Sequence, residues 1–232
     1  MSYSNYKEKY WERIISCPLF IDIPTECIDE MIESLDGYIR NYKKSEILLH
    51  IGDEFKYCGI VLSGTLEISY NTNQLEKLNV NHFGPSQIFG EALALKNIPY
   101  SPVQITAIAD SSVLFLNLKK LITSTERCGK SCLYNHQLLL NLLARMADQN
   151  YFSNLKARIL GQKNIRDRVI IYLTHVHADL PDGATIPFSQ TALAEFLGVN
   201  RSALARELGR MQDDGILKIN KRHYALSSIP NL

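Results

Sequence analysis

The segment FSQTALAEFLGVNRSALARELGRMQDDGIL, Phe188–Leu217, holds the side chains of this sequence best suited to gripping another molecule. Arg201, Ser202, Ala205 and Arg206 recur on one face of a helix, with Arg210 on its flank, while Leu204, Leu208 and Met211 recur at i, i+4 and i+7 on the opposite face. An arginine fork bonds guanine O6 and N7 together, which is worth about 1–3 kcal/mol of base discrimination. A small polar side chain such as Ser202 or Asn200 suits a phosphate or a base edge. A helix N-terminus favours phosphate as well. The chemistry these residues offer is readout of duplex DNA, with the first turns of a helix directed into the major groove.

Three kinds of element must hold that face in place. Leu193 and Leu197 mark the buried side of a preceding helix, and Ala194 is small where two helices cross closely. Gly198 then supplies the positive φ of a sharp turn, and Asn200 is suited to cap the next helix. After Gly215, the runs Ile216–Ile219 and His223–Leu226 flank Asn220-Lys221-Arg222, which reads as a hairpin wing with a basic tip. The candidate DNA contacts are therefore Gln190, Asn200, Arg201, Ser202, Ala205, Arg206, Arg210, Lys221 and Arg222. Charge agrees with this placement. Residues 1–155 carry 14 Lys and Arg against 17 Asp and Glu, whereas residues 156–232 carry 11 against 7. The basic excess lies with the candidate interface.

The rest of the 232 residues reads as a second, earlier domain. From about Tyr6 to Gly37 the pattern is helical, punctuated by Pro18 and Pro24, and Thr25 is placed to cap a helix containing Ile28, Met31, Ile32 and Leu35. Tyr38 to Leu118 holds short apolar runs between turn signals: Glu46–Ile51, Tyr57–Leu62, Thr65–Tyr70, Val103–Ile108 and Val113–Leu118. Such spacing predicts a β-roll, barrel or sandwich, with Gly64 making a tight hairpin between two strands. A proline-free helix is expected from about Leu133 to Asn154. Its stripe of Leu138, Leu139, Leu142, Leu143, Met146 and Ala147 reads as a dimer seam. A further helix is expected over Ile165–Leu173.

Several function classes find no support. The polar N-terminus lacks the apolar core of a secretory signal, and no run approaches the ~18 apolar residues of a membrane span, so a cytoplasmic protein without a membrane partner is expected. Five cysteines at irregular spacing do not suggest a disulfide framework. There is no Walker loop, no GxGxxG and no nucleophile triad, so an enzyme is not expected. His175-x-His177 ends a helix pattern without a third ligand at metal spacing, and no metal site is assigned.

The segment Gly52–Ser69 (GDEFKYCGIVLSGTLEIS), Phe89-Gly90-Glu91 and GVNRSALAREL (Gly198–Leu208) together resemble the CRP/FNR family of bacterial regulators, and the resemblance covers nearly the whole chain. It implies an α+β fold in three parts. These are a cyclic-nucleotide-binding-like β-roll (double-stranded β-helix or jelly-roll type) with N-terminal helices over residues 1–130, a long dimerisation helix over 131–155, and a winged helix-turn-helix over 156–232. It also implies a homodimer on an inverted-repeat operator, with RNA polymerase as a further partner if the protein activates. Arg201 and Arg206 fall on positions that contact DNA in the cyclic-AMP receptor branch. Ser202 stands where glutamate is common, which leaves the half-site sequence open, and Glu207 stands where many such helices keep an apolar residue.

The same resemblance places an effector pocket between roll and helix, with Gly90, Glu91, Tyr100 and Ser101 from the roll and Leu138, Leu142 and Arg145 from the helix. In the cyclic-nucleotide branch an arginine neutralises the phosphate. Here Ser101-Pro102 occupies that place, and no Arg or Lys lies between Lys96 and Lys119. An unidentified small-molecule effector other than cyclic AMP is expected, or a redox signal. No cofactor is identified: Cys17 and Cys27 lack the pattern of an iron–sulfur cluster, and nothing selects His50 or His82 for haem. Cys128 and Cys132 form either a redox pair or two small residues near the long helix. The competing readings are a sensory module controlling a protein partner, which leaves the arginine face unexplained, and a cupin-like enzyme, for which the roll lacks a constellation.

Overall fold

The computed structural model describes residues 4–71, 77–96, 99–123, 134–177, 183–186 and 189–227. Cys128 and Cys132 lie outside them. The chain divides into two compact units, Met1–Arg145 and Met146–Leu232. Among the described residues, no helix is long and apolar enough to cross a membrane.

The first unit opens with α1 (Ser4–Ile15), a 3-10 turn (Pro18–Phe20) and α2 (Thr25–Ser34). Thr25 is not the cap of α2. Pro24 holds that position without a side-chain hydrogen bond, and Thr25 is the first helical residue. The Pro24 carbonyl itself accepts the Cys27 N–H at 2.9 Å, so that first-turn donor is satisfied without a side-chain oxygen.

Strands β1 (Tyr38–Tyr42), β2 (Ile47–Leu49), β3 (Cys58–Ser63), β4 (Leu66–Asn71), β5 (Lys77–Phe83), β6 (Ile88–Phe89), β7 (Gln104–Ala107) and β8 (Ser111–Leu116) form two four-stranded antiparallel sheets. Their orders are β1-β8-β3-β6 and β2-β7-β4-β5. Successive strands mostly alternate between the sheets, which makes the unit a roll. Gly64 therefore does not close a hairpin, because β3 and β4 lie in different sheets. It turns the chain across the roll at φ +81°, where a Cβ would stand 2.2 Å from Ser111 Oγ and 2.4 Å from the Asp110 carbonyl. Glycine is needed for the turn and for the close approach, which sequence spacing alone cannot tell from a hairpin.

Aromatic rings fill the space between the sheets. Phe89 is buried, with the rings of Phe55, Phe83 and Phe115 centred 6.0–6.3 Å away. It lies over its strand neighbour Gly59, where a Cβ would come within 2.1 Å of the ring. Val113 and Phe115 face this interior, and every residue of β8 is buried. On the far side, Tyr10 of α1 meets Ser112 in a hydrogen bond of 2.9 Å. With both faces covered, β3 and β8 read as continuous apolar runs and not as alternation. Helices α3 (Glu91–Lys96) and α4 (Lys119–Thr123) complete the described part of this unit before the long helix begins.

Helix α5 (Asn135–Leu160) has 26 residues and is about 39 Å long. It runs six residues beyond the end expected from its stripe, to Leu160. The expected seam divides in two. Leu138 and Leu142 are buried within the first unit and cannot face a partner, whereas Leu143 (60% exposed) faces outward, as does Leu140 (44%), which the expected stripe does not include. A helix apolar on several sides carries two apolar faces with different tasks, and periodicity merges them.

The second unit begins inside α5 and continues with α6 (Ile165–His177), β9 (Ala184–Thr185), α7 (Gln190–Leu197), α8 (Arg201–Asp213), β10 (Leu217–Asn220) and β11 (His223–Leu226). Its three strands pair in the order β10-β11-β9. The core joins Leu155 and Ile159 of α5 to Val169, Leu173, Leu193, Leu197, Leu204, Leu208, Met211, Leu217 and Tyr224.

Two glycines give opposite stability predictions. Gly209 lies inside α8 with open space around a would-be Cβ. Gly209→Ala is expected to raise unfolding stability by about 1 kcal/mol. Gly59→Ala would drive a methyl group into the Phe89 ring and lower stability by about 1–3 kcal/mol or prevent folding. Denaturant melts of both variants check this. Burial also pushes the Cys17 thiol up from 9.0 to about 11, and pushes Cys58 well above 9.0. Unfolding lets both thiols ionise at their ordinary pKa, so the unfolded state binds fewer protons between pH 9 and 11. Stability should be insensitive to these thiols below pH 9 and fall as pH climbs toward 11. Neither should react with a thiol reagent at pH 7 until the protein unfolds.

Candidate nucleic-acid interface

Helices α7 and α8 form the expected helix-turn-helix. Ser189 caps α7, its side chain accepting the Ala192 N–H at 3.3 Å. Gly198 ends α7 in the left-handed region at φ 64°, with its N–H returned to carbonyls of the last turn. Asn200 caps α8. Leu204, Leu208 and Met211 are buried, while Arg201, Ser202, Ala205 and Arg206 are exposed together on the other side. The Arg206 Nε donates to the Ser202 carbonyl at 3.4 Å.

Strands β10 and β11 pair Asn220 with His223 across the two-residue turn Lys221-Arg222. Both turn residues are exposed. Lys221 sits at φ 56°, an unfavourable conformation for a side chain that cannot stabilise it locally. A groove of about 320 Å³ runs between α8 and this wing. Gln190, Ala205, Gly209, Gln212, Lys221 and Arg222 are among its lining residues. Of the nine predicted contacts, Gln190, Ala205, Lys221 and Arg222 thus border one concavity, and Asn200, Arg201, Ser202 and Arg206 stand on the exposed face of α8. Arg210 stands apart. Its guanidinium meets Glu207 at 3.4 Å and lines a separate hollow with Asn164, Ile165 and Arg166.

Two arginines of α6 escaped the sequence reading. Arg166 Nε donates to Glu207 at 2.7 Å, and its Nη1 lies 2.8 Å from an Asp214 carboxylate oxygen. Those hydrogen bonds, Glu207 first and Asp214 next, push the Arg166 pKa up and hold it charged. Glu207 was the available signal: a carboxylate at a position usually apolar needs a cation, and α6 carries two. Arg168 does different work. It donates to the carbonyls of Gln162 (2.9 and 3.0 Å), Leu197 (3.0 Å) and Gly198 (3.2 Å), and approaches Leu160 O at 3.4 Å. These lie at the C-terminal ends of α5 and α7, where carbonyls lack helical partners and the helix dipole favours a cation.

The predicted effector residues do not all converge. Gly90 turns at φ 78°, with Phe55 closed against it. Glu91 is 3% exposed, and its Oε1 stands 3.4 Å from Arg145 Nε without a hydrogen bond between them. Arg145 also donates from Nη2 to the Ile88 carbonyl at 2.7 Å. Leu138 and Leu142 are buried in the same unit. Tyr100, 71% exposed, lies outside this cluster, and the buried Ser101 hydroxyl donates to the Val103 carbonyl at 2.7 Å. His175 meets Tyr151 Oη at 2.8 Å through Nδ1. Among the described residues, no group of three or more His, Cys, Asp or Glu stands together as metal ligands.

Comparisons with known proteins follow the same two units. Residues 39–127 match the family model of a cyclic nucleotide-binding domain, and residues 167–232 match that of a Crp-like helix-turn-helix domain. No curated protein matches the chain. Among solved structures, CprK in complex with OCPA has a TM-score of 0.58 at 14% identity, covering 87% of this chain and 91% of that one. The c-di-GMP responsive global regulator CLP of Xanthomonas campestris has a TM-score of 0.52 at 18% identity, covering 88% and 100%. The sensor domain of the transcriptional regulator DNR of Pseudomonas aeruginosa has a TM-score of 0.51 at 17% identity, covering 69% and 98%. Likeness at these identities is likeness of fold. A β-roll, a long helix and a helix-turn-helix with a strand wing define a DNA-binding regulator with a sensory domain. With its two domain matches in this order, the chain belongs to the CRP/FNR family of transcription regulators, which are not enzymes.

Arg168 and Arg206 should separate in their effects. Arg168→Ala leaves several carbonyls without their donor and is expected to cost about 1–3 kcal/mol of unfolding stability. Arg206→Ala, on the exposed face, should stay within ~0.5 kcal/mol of the parent. Thermal unfolding of the two variants side by side is the check.

Proposed function

We propose that this protein is a sequence-specific regulator that binds an inverted-repeat operator as a homodimer. The observation that carries the reading is the exposed Arg201–Arg206 face of α8 beside a wing tipped by Lys221 and Arg222. In this reading α8 lies in the major groove, Arg201 and Arg206 reach base edges or phosphates, and the wing grips the backbone. Gln190 and Asn200 fix the register through phosphates. Arg210 serves chiefly through Glu207.

The dimer seam is the outward stripe of Leu140, Leu143, Ala147 and Tyr151, at spacings of three and four. Two copies then place two recognition helices on successive half-sites. The protein acts in the cytoplasm, with RNA polymerase as partner if it activates.

Control comes from a small effector or a redox signal at the roll, acting through different affinities for the DNA-competent and incompetent states. Gly90, Glu91 and Arg145 mark its place. Cyclic AMP is a poor candidate. Arg145 already neutralises Glu91, and the Ser101 hydroxyl is committed to its own turn. The cyclic phosphate would find no cation on the roll segment from 97 to 118.

Selection of bound duplexes from a random library, followed by sequencing, tests the reading. An inverted repeat should emerge at near-physiological salt. Its affinity should fall steeply as salt rises, by about 10³-fold between 50 and 200 mM if some six phosphates are contacted. Failure to enrich any repeat, with or without cell extract, would sink the proposal. Leu143→Asp should convert the dimer to a monomer in sedimentation and weaken operator binding. Lys221→Gly should relieve the backbone strain and raise stability by about 1 kcal/mol. It should also weaken all duplexes alike and reduce the salt slope by about one.

A further inference from the structure

Ser202 is the second residue of α8, exposed one turn ahead of Arg206. The direction of its hydroxyl proton follows from its neighbours. The Ser202 backbone N–H donates to Asn200 Oδ1 at 2.9 Å. That donor fixes the amide orientation, because a reversed amide would set an NH₂ against an N–H. The same Oδ1 accepts from Ser202 Oγ at 2.7 Å. An amide oxygen cannot donate, so the hydroxyl proton is spent on it. Ser202 therefore presents lone pairs outward. The protons that Asn200 presents are those on Nδ2. The cap sorts two small polar residues into an outward acceptor and an outward donor.

We infer that Ser202 reads an exocyclic amino group in the major groove, N6 of adenine or N4 of cytosine, and that Asn200 Nδ2 donates to a backbone phosphate. This rests on the DNA-binding reading above and adds which chemical group each residue takes. Thymine O4, guanine O6 and N7, and phosphate oxygens are all acceptors and would meet the Ser202 lone pairs unfavourably. Turning the hydroxyl toward them breaks its bond to Asn200. The Asn200 amide has the converse preference: its free protons suit the anionic oxygens along the strand. Arg206 Nε donates to the Ser202 backbone carbonyl at 3.4 Å, so the two residues stand one turn apart on the same exposed face. The amino-bearing base should lie beside the base or phosphate that Arg206 contacts.

The test uses the full-length protein and the duplex enriched by selection. Amino groups are deleted one at a time, with purine in place of adenine and 2-pyrimidinone in place of cytosine. Affinities of the parent and of Ser202→Ala are compared at fixed salt. One position per half-site should show coupling: deletion weakens the parent about three- to tenfold and leaves Ser202→Ala unchanged. Asn200→Asp keeps the capping oxygen and should weaken binding on all sequences alike while retaining that coupling. Equal losses for parent and Ser202→Ala at every deletion would overturn the assignment of Ser202. So would coupling to removal of a base acceptor instead. A change of base preference in Asn200→Asp would overturn the phosphate assignment. If no duplex is enriched, with or without cell extract, the DNA-binding reading fails and this inference falls with it. An enriched duplex without coupling leaves that reading standing and removes the inference alone.

Discussion

Arg168 brings one positive charge to the place where three stretches of backbone run out of hydrogen-bond partners. The end of α5, the turn at Gln162 and the end of α7 all direct carbonyl oxygens at its guanidinium. The turn that orients α8 is part of that set, since the Gly198 carbonyl is one of the acceptors. A planar fork with five donors suits this task, and a lysine ammonium would not span the same oxygens. Two residues earlier on α6, Arg166 ties that helix to Glu207 of α8 and to Asp214 just beyond it. The exposed face of α8 is held from behind by these ionic contacts.

The fold was legible where a residue type answers a local need. Gly198 and Asn200 announced the turn and the cap, and Leu204, Leu208 and Met211 announced the buried stripe. The wing followed from a short basic turn between two apolar runs. Legibility failed where a residue answers a distant need. Gly64 looked like a hairpin glycine because its reason, the close approach of Ser111, lies 47 positions away. Thr25 looked like a cap because threonine is a favoured capping residue, and the sequence does not say that the Pro24 carbonyl takes the Cys27 N–H. The stripe on α5 reads as one surface because the sequence does not say that Leu138 and Leu142 are buried within their own unit. Arg166 and Arg168 sit in no pattern that marks either for a partner. Only the oddity of Glu207 hinted that one of them had a partner.

The candidate sensor is less legible for a physical reason. Glu91 and Arg145 are 54 residues apart, and neither sits in a pattern that calls for the other. Together they form a pair, Glu91 buried and Arg145 half-buried, at a distance too long for a good hydrogen bond. Such a pair gains little over apolar neighbours and is sensitive to displacement of either partner. Next to it, the interior of the roll is given to the rings of Phe55, Phe83, Phe89 and Phe115. The polar contrast in this region lies at Glu91 and Arg145, outside the ring-filled interior.

The strand order of the roll also bears on the order of events as the chain is made. β1 pairs with β8, Tyr38 facing Phe115, so the first strand to leave the ribosome waits for the last. Long-range pairing of this kind is slow, because loop closure must precede the contacts that reward it. Until β8 arrives, the apolar residues of β3 remain uncovered, and this is the interval in which a nascent roll is open to misassembly. The helix-turn-helix, whose α7 and α8 are neighbours in sequence, meets no comparable delay. The unit synthesised last is the quicker to close, and the roll sets the pace of maturation.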